Sequence, residues 1–229
     1  MKIGLIFAMQ EELDAFLSYC ENVHINKINH LTFYETKTNN HHLTMILSGI
    51  GKVNAAYATT KLIEHYQVEI LLNSGVAGGI NVNHQAVVLS EQVTYHDVDV
   101  RAFNYVKGQV PGLNPTFKAD SMLLEKAFQI AKKLHIDVHT GTIASGDQFI
   151  TSLSPLEDVI ALYDNLNAIE MEAGAIAHIA HLEQVPFLII RSISDVIGDE
   201  SQSHDFNTFL KNAALNAANL LNELLHDLS

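Results

Sequence analysis

Acidic residues follow apolar runs at widely separated points of this 229-residue sequence. Glu12 comes just after the run from Ile3 to Met9, Glu172 stands at the start of a helical stretch, and Asp195 ends the last apolar run. Carboxyl groups serve as general acids and bases, and in an open α/β sheet ligands bind beyond the carboxyl ends of strands. Each acid taken alone is also typical of a helix N-terminus, where it favours the macrodipole. Their repetition favours one shared site.

Two glycine clusters also follow apolar runs, namely Gly49-x-Gly51 and Gly75-x-x-Gly78-Gly79. Neither belongs to a familiar nucleotide motif. Lys52 lacks the following Ser or Thr of a phosphate loop, and Asn54 stands where a dinucleotide fingerprint requires glycine. We predict a tight turn at each cluster, where backbone amides can approach a small ligand. A turn that binds nothing is an equally good interpretation.

The 13 histidines include three close groupings: His41-His42, Tyr95-His96-Asp97 and His178-x-x-His181. None of these groupings has the two-histidine helical spacing with a third ligand that zinc sites require. Surface or capping histidine is the better interpretation, because metal geometry is demanding. We therefore predict no metal and no cofactor.

Composition and charge narrow the class of protein. Hydrophobic residues make up 48% of the chain and charged residues 17%, which predicts an ordered globular core. The formal net charge of −13 disfavours binding to nucleic acid or to an anionic membrane, and no apolar run approaches the ~20 residues of a membrane span. The single cysteine, Cys20, cannot form an intramolecular disulfide, so we expect a reducing compartment, the cytoplasm.

Short apolar runs alternate with stretches of helical spacing, which predicts an α/β chain with a mostly parallel or mixed sheet. The predicted strands cover residues 3–9, 43–47, 70–72, 86–89, 143–144 and 187–190. The predicted helices cover residues 10–20, 52–66, 119–134, 155–163, 171–181 and a long amphipathic stretch over 206–225. The irregular segment from Tyr95 to Ala119 is long enough to suggest a functional loop. Since no linker or repeat is visible, we predict one domain over residues 1–229.

Seven motifs, spread over nearly the whole chain, carry a resemblance to a known family. They are Met1-Lys2-Ile3-Gly4-Leu5-Ile6 with Ala8-Met9-Gln10-Glu11-Glu12, Ser48-Gly49-Ile50-Gly51-Lys52-Val53, Tyr95-His96-Asp97 with Asp99-Val100, Gly108-Gln109-Val110-Pro111-Gly112, Ser145-Gly146-Asp147-Gln148-Phe149-Ile150, Glu170-Met171-Glu172-Ala173, and Arg191-Ser192-Ile193-Ser194-Asp195-Val196. In this order they resemble the 5′-methylthioadenosine/S-adenosylhomocysteine nucleosidases, within the nucleoside phosphorylase superfamily. The resemblance implies an α/β fold: a single-domain three-layer α/β/α sandwich with a central mixed, partly barrel-like sheet.

The resemblance also implies a catalytic set. Glu12 would be the base for an attacking water, Asp195 the acid at adenine N7, and Glu172 the ligand of the ribose hydroxyls. These residue types suit the reaction, because breaking a ribose–purine bond leaves a cation-like sugar and a poor leaving group. Two carboxyls in different protonation states can fill the two roles, as in glycosidases. The products would be adenine and a 5-substituted ribose.

The substrate-binding residues that the resemblance implies surround these acids. Phe149 would stack on adenine, and the backbone of Ile150 would read the edge of the base. Ser194 would orient Asp195, and Arg191 would help to place the water. The contacts to the ribose and to the alkylthio group would come from Met9, Ile50, Met171 and Phe206.

Two residues of the long loop, Phe103 and Pro111, look like the parts that dimers of this family lend to the neighbouring subunit's pocket. The resemblance therefore implies a homodimer. The other partners would be small 5′-substituted adenosines, and we expect neither nucleic acid nor membrane as a partner.

Two positions depart from the family pattern. Phe7 stands where the family has a small residue, so a bulky ring abuts the end of the first strand. Val76 stands where the family usually has serine, which removes a hydroxyl thought to hold the water. We expect weaker water positioning as a consequence.

Two alternative functions remain open at this stage. A purine nucleoside phosphorylase of the same fold would need cations for phosphate, yet the only arginines are Arg101 and Arg191, and Glu12 would repel an anion. A noncatalytic nucleoside-binding protein would not need an acid and a base, so the intact Glu12, Glu172 and Asp195 argue against it. The sequence does not rank methylthioadenosine, S-adenosylhomocysteine, 5′-deoxyadenosine and futalosine-type nucleosides as substrates.

Overall fold

The computed structural model describes residues 1–38, 40–199 and 202–228, apart from the side chain of residue 203. The strands in this part of the chain are β1 (Lys2–Phe7), β2 (His24–Ile28), β3 (Leu31–Thr38), β4 (His41–Leu47), β5 (Ile70–Gly79), β6 (Val87–Tyr95), β7 (Phe117–Lys118), β8 (Val138–Ser145), β9 (Leu166–Glu170) and β10 (Phe187–Val196). The α-helices are α1 (Gln10–Leu17), α2 (Lys52–Tyr66), α3 (Ser121–Lys133), α4 (Glu157–Ile160), α5 (Ala173–Leu182) and α6 (Gln202–Asp227).

All of these strands belong to one mixed sheet. The strands β10, β6, β8, β9 and β5 follow one another in this order and close into a barrel, because β5 also pairs with β10. From β5 the sheet continues outward through β1, β4, β3 and β2. The strands β1, β4, β5 and β10 run parallel to one another, so their carboxyl ends lie on the same edge of the sheet. That edge is where a ligand site is expected in an α/β fold.

Strand β5 is the place where the sheet divides. On one side, the first half of β5 pairs with β1 and its last two residues pair with β9. Residues 74–77 lie between these two partners, whereas β10 pairs along almost the whole of the other side. On this side, the backbone N–H of Val76 therefore has no neighbouring strand to bond with. It donates to the Glu12 carboxylate at 3.0 Å instead. A buried acid is thereby fixed in the middle of the sheet.

Helices cover both faces of the sheet. Helices α1, α3 and α6 pack over one buried apolar cluster, and α2 and α5 pack over another. Successive residues of β1 point to opposite faces, as a strand requires: Leu5 belongs to the first cluster and Ile6 to the second. The result is a three-layer α/β/α sandwich around a mixed, partly barrel-like sheet. The predicted fold class is confirmed, whereas the single domain over residues 1–229 stays a prediction.

Several predicted element boundaries are wrong. Strands β2, β3, β7 and β9 were not expected, because their sequences contain no continuous apolar run; β2 is an edge strand with mostly exposed residues. Strands β5 and β10 continue well past the predicted ends, through the small and polar residues that reach the site.

Among the helices that the structure describes, we find no candidate for a membrane span.

Candidate active site

One cavity lies at the carboxyl ends of β1, β5 and β10, beside the division in β5. Its volume is about 120 Å³, and the buried acids Glu12, Glu172 and Asp195 all line it. The remaining lining comes from Ala8, Met9, Ile50, Val76, Ala77, Gly78, Phe149, Ile169, Glu170, Met171, Ser194 and Phe206. Three acids that are far apart in the sequence thus meet around one small space.

Glu12 lies in the first turn of α1, and only two residues separate this helix from the end of β1. Its Oε2 atom accepts the backbone N–H groups of Ala8 at 2.9 Å and Met9 at 3.0 Å, and its Oε1 atom accepts that of Val76. Burial raises the pKa of the Glu12 carboxyl, while the nearby Arg191 charge and these three N–H donors oppose the rise. Glu12 is therefore a buried carboxyl group that three backbone N–H donors hold in place.

Gly75 in β5 leaves room for the side chains of Glu12 and Arg191. A Cβ atom at this position would lie 2.5 Å from Glu12 Oε1 and 3.1 Å from Arg191 Nη1. The prediction of a tight turn here is wrong, because Gly75, Gly78 and Gly79 lie inside β5. The first cluster does form a turn, since Gly49 and Gly51 have φ values of +83° and +96°. The glycines of β5 provide room for side chains, whereas those before α2 provide backbone freedom.

Arg191 lies behind the cavity and does not line it. Its fully buried guanidinium donates from Nη2 to Asn73 Oδ1 at 2.6 Å and to Glu170 Oε2 at 2.7 Å. Glu170 Oε2 also accepts the backbone N–H groups of Glu172 at 3.0 Å and Ala173 at 2.8 Å, and Glu170 Oε1 accepts the Ser145 hydroxyl. Arg191 and Glu170 form a buried ion pair that fixes the start of α5. The predicted role of Arg191 in placing water stays a prediction.

Glu172 faces the cavity from the N-cap position of α5. Its Oε1 atom accepts the backbone N–H of Gly51 at 2.8 Å, which ties the turn before α2 to the start of α5. Burial and the neighbouring Glu170 carboxylate raise the pKa of Glu172 to about 8, against the opposing charge of Arg191. The carboxyl can therefore exchange hydrogen bonds with a polar ligand in either protonation state.

Asp195 lies near the end of β10, where the pairing with β5 shifts register between Ile193 and Asp195. This bulge places two consecutive side chains, Ser194 and Asp195, along the cavity. The Ser194 hydroxyl donates to Asp195 Oδ1 at 2.6 Å, which agrees with the orienting role expected for Ser194. The Gln202 amide donates to Asp195 Oδ2 at 2.8 Å. Both oxygens of the buried carboxyl thus accept a hydrogen bond.

A polar cluster ties together the loops around the cavity. The Lys52 ammonium contacts Asp97 Oδ2 at 2.6 Å, and the backbone N–H of Asp147 donates to the same oxygen at 3.0 Å. Asp147 in turn accepts the backbone N–H of Lys52 at 2.7 Å. The cluster joins the turn that holds Glu172 to the loop that carries Phe149.

A second, smaller cavity of about 30 Å³ adjoins the first and shares Phe149, Met171 and Asp195 with it. Ile150 lines this second cavity, and its expected role in reading the edge of the base stays a prediction. The rings of Phe149 and Phe206 meet edge to face, with centroids 5.8 Å apart. The half-exposed Phe149 ring stands free to stack on a planar ligand.

The predicted residues Phe103 and Pro111 line neither cavity of their own chain. Both are exposed in the segment between β6 and β7, and Phe103 is 74% exposed.

Phe7, the bulky residue at the end of β1, does not line either cavity. Its buried ring stacks on Phe16 of α1, with centroids 5.7 Å apart. The replacement at Phe7 is thus accommodated inside the core.

Sequence reasoning missed several residues that build the site. The sequence shows Glu170 only as the first residue of the motif Glu170-Met171-Glu172-Ala173, although it organises Arg191 and the start of α5. Asn73 directly follows the predicted strand 70–72, and no motif marks it. Gln202 lies in a polar segment with no motif.

Among the described residues, no group of three or more His, Cys, Asp or Glu is placed to hold a metal ion.

Comparison with known families agrees with this geometry. The family model described as the phosphorylase superfamily matches residues 2–226. A 5′-methylthioadenosine/S-adenosylhomocysteine nucleosidase of Bacillus cytotoxicus is 42% identical over 231 residues, which cover 100% of both chains.

Solved structures give the same result. The 5′-methylthioadenosine/S-adenosylhomocysteine nucleosidase of Neisseria meningitidis, in complex with methylthio-immucillin-A, is 36% identical with a TM-score of 0.93, covering 98% of each chain. The futalosine hydrolase of Helicobacter pylori is 30% identical with a TM-score of 0.94, covering 99% of this chain and 98% of the other. The chain belongs to the phosphorylase superfamily and, within it, to the 5′-methylthioadenosine/S-adenosylhomocysteine nucleosidases.

Proposed function

We propose that this chain hydrolyses the N-glycosidic bond of 5′-methylthioadenosine and S-adenosylhomocysteine, which releases adenine and a 5-substituted ribose. The observation that carries the proposal is that the buried carboxyls of Glu12 and Asp195 line the same cavity of about 120 Å³. Binding alone would not require such groups, since burying a carboxyl without a task is costly. The names of the most similar relatives support the same reaction.

Glu12 acts at the sugar. As the bond between the anomeric carbon and the base nitrogen breaks, positive charge grows on the sugar, and a water molecule attacks the anomeric carbon. Glu12 takes the proton of this water, so the water oxygen becomes the new hydroxyl group of the ribose. Its raised pKa suits a base that must accept a proton, and its three N–H donors keep it in place before the reaction.

Asp195 acts at the base. The electron pair of the broken bond goes to the adenine ring, and Asp195 donates a proton to N7, which makes adenine a neutral leaving group. The Ser194 hydroxyl holds the carboxyl in one orientation from Oδ1, so Oδ2 is the oxygen that meets the base. Phe149 stacks on the purine and the backbone of Ile150 reads its edge, which keeps N7 next to Asp195.

Glu172 acts on the ribose hydroxyls. Its Oε1 atom accepts the N–H of Gly51, which leaves the second carboxyl oxygen for the ribose. Hydrogen bonds between this carboxyl and the two hydroxyls hold the sugar between Glu12 and Asp195, and they can form in either protonation state of Glu172.

Water, and not phosphate, is the nucleophile. No Lys or Arg among the described residues lines the cavity. The nearest cation, Arg191, is already bonded to Asn73 and Glu170. Phosphate recognition requires cationic donors, and the carboxyl groups around this cavity would repel an anion.

The part of the cavity that receives the 5′-substituent is apolar. Met9, Ile50 and Phe206 line it, and they match a methylthio or homocysteinyl thioether better than a charged group. Because Ile50 is half-exposed, a longer substituent can extend into solvent. 5′-Deoxyadenosine fits the same description, and the similarity to a futalosine hydrolase extends the substrate class to related nucleosides.

The active form is a homodimer in which Phe103 and Pro111 complete the partner's cavity. Phe103 is highly exposed, and the apolar residues Val53 and Val106 are exposed as well. Exposed apolar groups of this kind mark interaction surfaces.

We also place the protein in the cytoplasm. Its single cysteine, Cys20, cannot form an intramolecular disulfide, which suits a reducing compartment.

The reaction is tested by incubating the protein with 5′-methylthioadenosine, with and without inorganic phosphate, and measuring adenine and the sugar product by chromatography. We expect adenine release at the same rate in both samples, together with free 5-methylthioribose. Adenine release that requires phosphate and gives a sugar 1-phosphate would assign a phosphorylase. Tight binding of the nucleoside without any release would assign a binding protein.

A further inference from the structure

Gln202, the first residue of α6, is buried at the base end of the site. Its Nε2 atom donates to the backbone oxygen of Ile150 at 2.8 Å and to Asp195 Oδ2 at 2.8 Å. Its Oε1 atom accepts the backbone N–H of Gly198 at 3.3 Å. One side-chain amide therefore occupies two acceptors that face the smaller cavity.

These two acceptors are the ones that adenine needs under the proposed function. The edge of adenine that carries N7 also carries the 6-amino group. Once N7 is protonated, this edge presents two neighbouring N–H donors, one for Asp195 and one for the backbone oxygen of Ile150. The amide group of Gln202 presents two N–H donors to the same pair of oxygens. Gln202 thus imitates the protonated edge of the leaving base.

The purine and the Gln202 amide do not fit at the base end together. The cavity there is about 30 Å³, which holds only one or two water molecules. The two fused rings of a purine need several times that volume. Asp195 also lines the larger cavity, so the base can approach it from there. The base can take both acceptors only after the Gln202 amide has moved.

We propose that Gln202 is an internal competitor of the purine, an inference that rests on the proposed function. The amide of Gln202 leaves Ile150 and Asp195 when the nucleoside binds, and it returns to them when adenine leaves. In the free protein, the amide satisfies a buried carboxyl oxygen and a buried carbonyl that would otherwise lose their hydrogen bonds. Because adenine must displace the Gln202 amide, its net affinity is lower than its own contacts would give. The product adenine therefore dissociates more readily.

The test measures adenine affinity by titration calorimetry in the unaltered protein, in Gln202→Ala and in Gln202→Met. Methionine keeps most of the side-chain volume but donates no hydrogen bond, so the two variants separate the lost hydrogen bonds from the lost packing. Because two modest hydrogen bonds no longer compete, we expect adenine to bind about tenfold more tightly to both variants. We expect kcat for 5′-methylthioadenosine to stay within about threefold of the parent value while KM falls.

Gln129→Ala is the matched control, because Gln129 is an exposed glutamine of α3 that lines neither cavity. Its adenine affinity should equal that of the unaltered protein. If adenine affinity changes by less than about twofold in both Gln202 variants, the competition does not exist. If affinity weakens and kcat falls together, Gln202 positions Asp195 and does not compete with the base. A failure of the proposed function itself is distinguishable, since the unaltered protein would then not release adenine.

Discussion

At the scale of single residues, the three buried carboxyls differ in the donors that hold them. Glu12 accepts three backbone N–H groups, Glu172 accepts one, and Asp195 accepts a hydroxyl and a side-chain amide. Backbone donors are fixed, whereas a side-chain amide can move away. The residue proposed as the base is therefore the most rigid of the three, and the residue proposed as the acid has an oxygen that can be released to the substrate.

Replacing Glu12 by glutamine should abolish turnover and preserve binding. The amide keeps the shape of the side chain but takes no proton from water, and general-base catalysis contributes about 10²–10⁴ in rate. We expect kcat to fall by about that factor, while the Kd of a nonhydrolysable methylthioadenosine analogue changes little. Glu11→Gln, at the neighbouring exposed position, is the control and should keep the parent rate. A Glu12→Gln variant within about threefold of the parent kcat would remove Glu12 from the mechanism.

Glu172 should make stability depend on pH. Its folded-state pKa of about 8 is raised above the ordinary value of 4.5, so its contribution to stability is complete below about pH 4.5 and is lost as the pH rises through about 8. Glu172→Gln stays neutral and can still accept the Gly51 N–H. We expect this variant to be several degrees more stable than the parent at about pH 9 and equal to it at about pH 4, since 1 kcal/mol shifts Tm by about 2–4 °C.

Thermal melts across this pH range measure the difference. Glu183→Gln is the control, because Glu183 is an exposed acid at the end of α5. Its melting temperature should follow that of the parent at every pH. An equal Tm for Glu172→Gln and the parent at about pH 9 would show that folding does not disfavour the charged carboxylate.

At the scale of elements, β5 has the most demanding sequence. The strand must pair on both sides, separate from β1 at residue 74, and leave room for Glu12 and Arg191 beside Gly75. Gly75→Ala should push the Glu12 carboxyl away from its three donors. We expect kcat/KM to fall by about 10² or more, the usual effect of misplacing a catalytic group by about 1 Å, and a modest loss of Tm from overpacking.

Ser74→Ala is the matched control for this prediction, because it changes the adjoining residue of β5 without adding an atom. Its kcat/KM should remain near that of the parent. If Gly75→Ala retained full activity, the space beside Glu12 would not be what glycine provides here.

The elements also show how far the sequence could predict the structure. Helix α2 was predicted to the residue, and β1 and β4 nearly so, because periodicity and apolar runs are local signals. Strand β2 escaped because it is an edge strand that buries little. Strand β3 escaped because its buried residues Leu31 and Phe33 alternate with partly exposed ones and form no continuous apolar run. The glycines of β5 were misread as a turn, since a glycine that makes room for a distant side chain has the same local pattern as one that bends the chain.

At the scale of the whole molecule, the site joins segments from Glu12 to Phe206. Its acids could be named from the sequence through the family resemblance, because each belongs to a short motif. The supporting contacts of Glu170, Asn73 and Gln202 could not, since they depend on how the barrel closes and on which strands are neighbours. Local sequence carries no such information.

The proposed dimer can be tested by mixing two defective chains. In a heterodimer of a Glu12→Gln chain and a Phe103→Ala chain, one site contains an intact Glu12 and receives an intact Phe103 from the partner. We expect this heterodimer, purified through two different tags, to show about half of the parent kcat/KM. The Phe103→Ala homodimer should be about tenfold less active, because one apolar contact in a substrate pocket contributes about 1–3 kcal/mol.

A heterodimer with only half the activity of the Phe103→Ala homodimer would mean that Phe103 acts in its own chain or not at all. Light scattering supplies an independent check. A monomer that keeps full activity at nanomolar concentration would contradict the shared site.

In the proposed mechanism, Glu12 and Asp195 act on the same N-glycosidic bond, Glu12 at the sugar and Asp195 at the base. The substitution Asp195→Asn removes only the proton transfer to the base. Two substrates are compared: 5′-methylthioadenosine and 4-nitrophenyl 5-methylthioriboside, whose leaving group needs no proton. Asparagine can still donate a hydrogen bond to N7 but cannot transfer a proton. We expect a loss of about 10²–10⁴ in kcat for methylthioadenosine and a loss of less than about tenfold for the nitrophenyl compound. An equal loss for both substrates would mean that Asp195 only holds the base, and no loss for either would contradict the assignment of Asp195 altogether.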